Sequence, residues 1–283
     1  MPVKNALYVV ATPIGNLNDI SLRALEVLAS VDVVAAEHVQ NSKYLLSHHA
    51  IHTRMIALHQ HNEAAVAHQI SAFLAQGKSA ALISDAGTPA ISDPGAVLVR
   101  QVREQGFPVI PVPGANAAIC ALSAAGIISP HFLFYGFLPA KAGQRQQVLK
   151  TLAALPYTLV FYEAPHRIQA SLHDMAAVLG GERQLTIARE LTKLFETIHQ
   201  CRLDEAVAWL EADAHREKGE FVVLVSGAPV PDSTEISEQT RNTLTLLLAE
   251  LPLKQAVKLA ADISGENKKT LYQLALSLKP ERL

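Results

Sequence analysis

The first 126 residues alternate short apolar runs with longer stretches of helical periodicity. Helices of this part are predicted to end at glycine, which readily takes the left-handed conformation that closes a helix. A strand–loop–helix repeat of this kind predicts an α/β fold with a mostly parallel sheet. The predicted strands are residues 7–12, 31–37, 79–84 and 108–112, and the predicted helices are residues 21–29, 64–77, 96–106 and the end of 113–126.

Beyond residue 126 the pattern changes, which predicts a second α/β region with a mixed sheet. Residues 131–138 are more aromatic, and the polar, basic run that follows, "PAKAGQRQQ", is predicted to be an exposed loop. Alternation then resumes with strands at 158–162, 185–190 and 220–227 and helices at 167–180 and 203–212.

The end of the chain is predicted to be a linker followed by a small helical tail. Residues 228–240, "APVPDSTEISEQT", have the Pro, Ser and acidic content of a linker. Residues 239–278 predict three short helices in a helix-turn-helix-like arrangement. Such arrangements are common, so nucleic-acid contact and a purely structural role both stay open. The expected domains are therefore 1–120 and 121–228, both α/β, and 229–283, the linker with its helical tail.

Composition narrows the class of protein. The 283 residues are 49% hydrophobic and 18% charged, with a net charge of -2, so no global basic field attracts nucleic acid. Two cysteines, Cys120 and Cys201, form neither a disulfide framework nor a zinc set. The N-terminal apolar run is too short for a signal peptide, and no run is long enough to span a membrane. These features predict a cytoplasmic protein.

Compact polar segments follow six of the predicted strands, which predicts one composite cleft. They are "TPIGN", "EHVQNS", "SDAGTPAISDPG", "PGAN", "YEAPHR" and "RELTK". Ligands of open α/β sheets bind at the carboxyl ends of the strands. Any single segment of this kind is equally consistent with an ordinary loop, since such loops are rich in Gly and Pro. Neither a P-loop nor a G-x-G-x-x-G motif is present, which disfavours ATP hydrolysis and nicotinamide chemistry.

Seven motifs occur in order along the chain, and together they carry a resemblance. They are "LYVVATPIGNLNDIS", "SDAGTPAISDPG", "VPGANAAICALSAAG", "FYGFLPAK", "TLVFYEAPHR", "ARELTKLFET" and "KGEFVVLVSG". The set resembles the ribosomal RNA small-subunit methyltransferase I family of the tetrapyrrole methylase superfamily. The resemblance implies two α/β domains flanking a cleft and S-adenosylmethionine as methyl donor. It further implies 2′-O-methylation of a cytidine ribose of 16S rRNA near the decoding site, by an enzyme that is usually a homodimer.

Two loops are expected to line the donor site on the strength of this resemblance. Glycines let the backbone approach a ligand, and Asp85 is expected to contact the donor, although a turn or capping role for it stays open. Asp93, in "SDPG", is interpreted as part of the turn that starts the next helix, outside the contact set. The expected cofactor-binding residues are Thr12, Pro13, Asp85, Gly87, Thr88, Pro113, Gly114, Ala115, Asn116 and Tyr162.

Methyl transfer is an in-line displacement, in which positioning supplies much of the rate and a base adds to it. Glu163 and Glu190 are the candidate bases or hydroxyl acceptors. Arg167, Arg189 and Lys193 are the candidate phosphate contacts or hydroxyl-activating cations. Each is equally consistent with a solvated or salt-bridged side chain, and no single general base is assigned.

The run of histidines from His48 to His68 is not expected to hold a metal, because its members are spread over a predicted helix, a loop and a strand. His61, Asn62 and Glu63 follow a strand and are expected to reach the cleft and touch RNA.

The chain departs from the family at residues 37–40, which are Glu-His-Val-Gln where the family usually has Glu-Asp-Thr-Arg. Neighbours such as Lys43, His59 or His61 are candidates to compensate. The departure motivates one alternative, an RNA-binding assembly factor with impaired catalysis. The superfamily motivates another, a methylase of a tetrapyrrole precursor.

Overall fold

The computed structural model describes residues 3–229 and 236–278. The chain divides into two compact units, with the boundary between Ala228 and Pro229. The first unit contains two five-stranded sheets and the second contains three helices. The further boundary expected at residue 120 stays a prediction. None of the described helices combines the length and the apolar character that crossing a membrane requires.

The first sheet is entirely parallel, as the strand–helix alternation predicted. Its strands are β1 (Leu7–Val10), β2 (Val33–Ala36), β3 (Met55–Ala57), β4 (Ala80–Ile83) and β5 (Val109–Val112), in the order β3-β2-β4-β1-β5. Its helices are α1 (Leu22–Ser30), α2 (Val39–His48), α3 (Glu63–Ala75) and α4 (Ala96–Glu104). All carboxyl ends of the five strands therefore lie at one edge.

Helices cover both faces of the first sheet. Because successive side chains of a strand point to opposite faces, each strand contributes to both buried layers. Tyr8 and Val10 of β1 pack in one cluster with residues of α1 and α2. Leu7 of β1 packs in another cluster with residues of α3 and α4. Two such layers hold the sheet rigidly, so the loops at its carboxyl edge leave from fixed positions.

The second sheet is mixed, again as predicted. Its strands are β6 (Phe132–Phe137), β7 (Thr158–Glu163), β8 (Gln184–Arg189), β9 (Thr197–Arg202) and β10 (Phe221–Val225), in the order β6-β7-β10-β8-β9. Only β6 and β7 pair in parallel. One face packs on α6 (Ala142–Leu152), α7 (Ile168–Leu179) and α8 (Ala206–Glu211).

The other face of the second sheet packs on α5 (Ala117–Ala124), the helix that follows β5. Ala118 and Ala121 of this helix share a buried cluster with Val160 and Val222 of the sheet. Ile14, from the loop after β1, belongs to the same cluster. Loops of the first sheet are thereby brought against the open face of the second, where the candidate site lies.

The structure corrects the sequence prediction in three places. Residues of "PAKAGQRQQ" predicted as an exposed loop form the start of α6, where Arg145 is buried. The segment after Glu37 is not a loop but the helix α2. The edge strand β9, with half of its residues exposed, was not predicted.

The second unit has the three helices that were predicted: α9 (Glu238–Glu250), α10 (Leu253–Ser264) and α11 (Lys268–Leu278). Leu244, Val257, Ala260 and Leu271 form its buried core. Residues 230–235 of the predicted linker lie outside the described residues.

Candidate active site

A cavity of about 330 Å³ lies where the loops of the first sheet face the second sheet. This size is within the usual range for small-molecule sites. Three loops of the first sheet form one wall, and strand ends of the second sheet form the other. The lining residues are Ile14, Ala86, Gly87, Thr88, Ile91, Ser92, Asp93, Asn116, Ala117, Phe137, Tyr162, Glu163, Ala164, Pro165, Ala188, Leu191, Glu220, Phe221 and Val222.

Hydrogen bonds join the three loops of the first wall. The main chains of Thr12 and Gly87 exchange two bonds, of 2.9 and 3.0 Å, and the Thr12 hydroxyl donates to the Ser84 carbonyl oxygen at 3.1 Å. The Thr88 hydroxyl donates to the Ala115 carbonyl oxygen at 3.1 Å. Gly87 has a φ of +77°, a conformation open to glycine at little cost. The loops after β1, β4 and β5 therefore form one connected wall.

The second wall is largely apolar. The Tyr162 ring has the rings of Phe134 and Phe137 edge-on to it, at centroid distances of 4.9 and 5.6 Å. Its hydroxyl accepts a hydrogen bond of 3.3 Å from the Ala118 amide at the start of α5. Burial raises the pKa of Tyr162. The wall presents apolar rings and few charges, which suits a flat apolar ring of a ligand.

Of the ten expected cofactor-binding residues, four line the cavity and six do not. Gly87, Thr88, Asn116 and Tyr162 are lining residues. Within the described residues, the other six lie outside the lining: Thr12, Pro13, Asp85, Pro113, Gly114 and Ala115. Thr12 and Ala115 act behind the wall, through the hydrogen bonds that join the loops.

Asp85 contacts the turn at the start of α2 and not the cavity. Its carboxylate accepts from the His38 amide at 3.1 Å, from His38 Nδ1 at 2.8 Å and from Asn41 Nδ2 at 2.7 Å. His38 is one of the residues at which the chain departs from the family pattern. In this structure the Asp85 carboxylate holds the departing turn in place through these three bonds, and its contact with the donor stays a prediction.

Glu37, His38 and Asp85 place one potential ligand atom each within 4.8 Å of one another. They are the one group of this kind among the described residues, and they are distinct from the histidine run between His48 and His68. Because Asp85 already accepts three hydrogen bonds, we interpret the group as a hydrogen-bonded cluster that fixes the turn.

Asp93, which was assigned to a turn, lines the cavity. Burial and the nearby charges of Glu37 and Asp85 raise its pKa to about 6, and a hydrogen bond with Ser84 acts in the opposite direction. The turn assignment is correct for its neighbours, since α4 begins at Ala96. The helix is capped from another element, however: Glu63 Oε1 accepts from the Gly95 amide at 2.9 Å.

A second depression, which we call the histidine groove, adjoins the cavity. Its lining residues are Glu37, His38, His59, Gln60, His61, Glu63, Ser92, Asp93 and Pro94. Ser92 and Asp93 thus line both the cavity and the groove.

Of the three residues of this loop expected to touch RNA, two are engaged in holding the fold. The Asn62 side chain accepts from the His59 amide at 2.8 Å and donates to the Ala57 carbonyl oxygen at 3.0 Å. Glu63 caps α4 through the amides of Gly95, Val97 and Leu98. His61 alone of the three keeps an exposed side chain on the groove.

Glu163 and Arg167 neutralise each other. Their side chains form an ion pair at 3.1 Å, and the Glu163 side chain is fully buried. Glu163 also accepts from the Ser171 hydroxyl and from the Ala164 amide, the latter at 2.9 Å. Arg167 donates to the Leu138 carbonyl oxygen as well. Glu163 was expected to act as a base and Arg167 to contact a phosphate. In this structure both side chains are instead bound to each other and to neighbouring groups of the fold.

Arg189 is bound to main-chain carbonyl oxygens. Its guanidinium donates to the oxygens of Lys218 at 2.6 Å, Phe195 at 3.1 Å and His215 at 2.7 Å. The side chain is buried. It therefore joins three segments of the second sheet region and does not face an RNA phosphate, contrary to the prediction.

Lys193 lies between two carboxylates at the rim of the cavity. Its Nζ is 2.8 Å from Glu190 Oε1 and 2.9 Å from Glu220 Oε2. Burial acts to raise the pKa of Glu190, but the hydrogen bonds from Lys193 and the Glu220 amide outweigh it and lower that pKa. Burial acts to lower the pKa of Lys193, and the two carboxylates outweigh it and raise that pKa. Both groups are therefore charged at neutral pH, and neither is poised to exchange a proton.

Two family models match this chain. One, described as tetrapyrrole (corrin/porphyrin) methylases, matches residues 6–207. The other, described as the RsmI C-terminal HTH domain, matches residues 234–279.

Curated relatives match the chain over nearly its whole length. A protein of Escherichia coli O157:H7 named ribosomal RNA small subunit methyltransferase I is 51% identical, over 95% of this chain and 94% of that protein. A protein of the same name from Pseudomonas aeruginosa is 53% identical, over 95% of this chain and 96% of that one.

A solved structure shares the fold at low identity. It is uroporphyrin-III C-methyltransferase from Thermus thermophilus, complexed with S-adenyl homocysteine. The TM-score is 0.56 at 17% identity, and the match covers 77% of this chain and 96% of that one. At this identity the likeness speaks for the fold alone.

Proposed function

The chain belongs to the tetrapyrrole methylase family and, within it, to the ribosomal RNA small subunit methyltransferase I group, and on this premise we propose that it methylates small-subunit rRNA. The methyl donor is S-adenosylmethionine. The acceptor is the 2′-hydroxyl of a cytidine ribose in 16S rRNA near the decoding site. The observation that carries the proposal is identity of about one half to relatives of that name over nearly the whole chain, including the helical tail.

The cavity suits S-adenosylmethionine, which has a flat apolar base, a zwitterionic end and a positive sulfur. The apolar wall around Phe137 and Tyr162 offers a slot for the adenine ring. The main chain at Ala86 and Gly87 lines the first wall. No large side chain stands in front of it, so its polar groups are open to hydrogen bonds with the amino-acid and ribose groups of the donor. The carboxylate of Asp93 lines the same cavity and is complementary to the positive sulfur of the donor.

The bound donor supplies the electrophilic methyl group, and the residues of this chain bind, orient and exclude water. Thr12 and Ala115 fix the first wall through their hydrogen bonds to neighbouring loops. Gly87, Thr88, Asn116 and Tyr162 form the contact surface. Such positioning converts a bimolecular displacement into a step within one complex.

Labelled methyl transfer tests the proposal. The protein is incubated with methyl-labelled S-adenosylmethionine and with small subunits, or naked 16S rRNA, from cells that lack the activity. We expect label in a cytidine whose 3′ phosphodiester resists alkali, because a 2′-O-methyl group removes the internal nucleophile. Label found only in a tetrapyrrole acceptor would favour the precursor methylase. Donor binding without turnover on competent subunits would favour the assembly factor.

The helical tail is proposed to contact the RNA. Lys254, Lys268, Lys269 and Tyr272 line one depression of the second unit, which combines positive charge with an aromatic ring. A chain ending at Pro229 should keep its affinity for S-adenosylhomocysteine, measured by calorimetry, and should methylate rRNA at least about tenfold more slowly. Unchanged rRNA methylation would exclude a substrate role of the tail.

We also propose that the protein acts as a homodimer. The segment before β9 and β9 itself expose large apolar side chains: Leu194 is 90% exposed and Phe195 66%. Exposed apolar patches of this kind mark association surfaces. Sedimentation of the wild-type protein should give a dimer, and Phe195→Asp should shift it toward the monomer. A wild-type monomer at micromolar concentration would contradict the proposal.

A further inference from the structure

We propose that Asp93 is the general base of the methyl transfer, accepting the proton of the acceptor hydroxyl as the new bond to the methyl group forms. The inference rests on the proposed function, since it assigns the donor to the cavity and the RNA to the histidine groove. It assigns a role to one residue of the segment that lines both depressions.

The position of Asp93 carries the assignment. Ser92 and Asp93 are the residues that line both the cavity and the groove, and Asp93 alone of the two bears a carboxylate. A base for this reaction must reach the acceptor oxygen while that oxygen faces the methyl group of the donor. A side chain shared by the two depressions meets this condition.

Of the other carboxylates around the two depressions, Glu37 lines the histidine groove alone, and the remaining three are already engaged. Glu163 is paired with Arg167, and Glu220 with Lys193. Glu63 accepts three main-chain amides at the start of α4. Within residues 3–229 and 236–278, Asp93 forms no ion pair. It is therefore the carboxylate at this junction that remains available to a proton.

The backbone before Asp93 is held in a strained conformation. Ala90 and Ser92 have φ values of +67° and +65°, which are costly for residues with a Cβ atom. A Cβ on Gly136 of β6 would stand 2.8 Å from Ser92 Oγ, so the glycine makes room for this close approach. Strain of this kind persists where the surroundings impose it, and it collects at functional sites. Here it fixes the direction of the segment that carries Asp93.

The charges around Asp93 suit a base that works near neutral pH. Its pKa of about 6 places it mainly in the ionised form at pH 7, yet close enough to accept a proton. Burial contributes most to raising this pKa, the charges of Glu37 and Asp85 raise it further, and a hydrogen bond with Ser84 lowers it. The other titratable groups that line the two depressions are His38, His59, His61, Glu63, Tyr162, Glu163 and Glu220.

An electron pair of the acceptor oxygen forms the bond to the methyl carbon, and the bond between that carbon and the donor sulfur breaks. The hydroxyl proton passes to Asp93, and the sulfur leaves as the neutral thioether of S-adenosylhomocysteine. Because a ribose hydroxyl is a far weaker acid than a carboxyl group, the proton moves as the new bond forms and not before it. Asp93 then releases the proton to solvent.

The test compares pH profiles of kcat/KM between about pH 5 and about pH 8. The wild type should rise tenfold per pH unit up to about 6 and then level off. Asp93→Asn should be at least about 100-fold slower at the plateau and lack the inflection, and Asp93→Glu should restore part of the rate together with an inflection. Glu104→Gln is the matched control, a carboxylate exposed at the far end of α4, and should follow the wild type.

Binding of S-adenosylhomocysteine separates a folding defect from a catalytic one. The product lacks the positive sulfur, so Asp93→Asn should bind it as the wild type does. Failure of this variant to bind the product, or a wild-type rate and inflection in it, overturns the assignment of Asp93 while the proposed function stands. A wild type that transfers no methyl group to rRNA overturns the proposed function itself, and the assignment with it.

Discussion

The loops at the carboxyl edge of the first sheet and those at the strand ends of the second are similarly polar in sequence, but their polar groups have different partners. In the second sheet, charged side chains bind one another or the main chain, as Arg167 does with Glu163. In the first, the loops are joined mostly through backbone atoms and hydroxyls, as between Thr12 and Gly87. At the carboxyl edge of the first sheet, main-chain atoms and the carboxylate of Asp93 therefore face the cavity.

A conspicuous charge is therefore a poor marker of function until its partners are known. A buried arginine that already donates to two or three acceptors of its own fold is held in the interior, and its charge alone does not assign it to an RNA phosphate. A plain carboxylate in a turn, such as Asp93, is available because nothing in the described structure pairs with it ionically.

The largest effect is expected from Arg167→Met, at the strand ends of the second sheet. The variant leaves Glu163 buried without its counter-ion, so the free energy of unfolding should fall by about 3–5 kcal/mol in urea denaturation. Arg100→Met is the control: this arginine forms an exposed pair with Glu104, and its loss should cost about 0.5 kcal/mol. An Arg167→Met protein of wild-type stability that binds RNA weakly would restore the arginine to the RNA interface.

An intermediate effect is expected from Gly87→Ala, in a loop at the carboxyl edge of the first sheet. A left-handed φ costs about 1–2 kcal/mol for a residue with a Cβ atom, and the added carbon would lie 3.4 Å from Ile14 Cγ2. Stability should fall by that amount, and S-adenosylhomocysteine should bind about tenfold more weakly, which corresponds to a loss of about 1.4 kcal/mol of contact.

Gly106→Ala is the matched control for this strain. Gly106 has a φ of +80° and nothing within 4 Å of an added Cβ. The control should lose similar stability in urea denaturation and keep the wild-type affinity in calorimetry. Equal affinity in both variants would mean that the loop of Gly87 does not touch the ligand.

The smallest effect is a gain of stability in Asp93→Asn. Because the folded-state pKa of Asp93 is raised from 3.8 to about 6, ionising this group disfavours the native state. Wild-type stability should therefore fall as pH rises from about 4 to about 6, whereas the variant lacks this decline. At pH 7 the variant should be about 1 kcal/mol more stable, less than the full shift gives, since solvent screens a partly exposed group. Thermal melts across this range check the sign, and a variant that loses stability at pH 7 would contradict it.

Four strands of the first sheet could be predicted because they are apolar runs, and α3 and α4 because Gly77 and Gly106 follow them, whereas the short, partly exposed β3 and the helix α2 have no such signal. The helix α6 could not be predicted, since its buried face includes Arg145, which pairs with Asp174 of α7. A hydrophobic pattern carries no trace of an interior ion pair. The edge strand β9 was not predicted either, because its residues alternate between half-buried and exposed and so form no apolar run.

The site was predictable as a region but only in part by residue. Of the residues expected from their position at strand ends, Gly87, Thr88, Asn116 and Tyr162 line the cavity, and their contact with the donor stays a prediction. Arg189 was misassigned because its partners, the carbonyl oxygens of residues 195, 215 and 218, are main-chain atoms that no spacing reveals. Asp93 was missed because "SDPG" has the composition of a turn, and only the folded loops show that the turn borders two depressions.

The most direct test of the whole account is a crystal structure of the protein with S-adenosylhomocysteine. The ligand should lie in the cavity, with its adenine against Phe137 and Tyr162, its backbone contacts at Ala86 and Gly87, and its sulfur on the side of Asp93. A ligand bound in the histidine groove, or at Asp85 beside the turn of α2, would contradict the account.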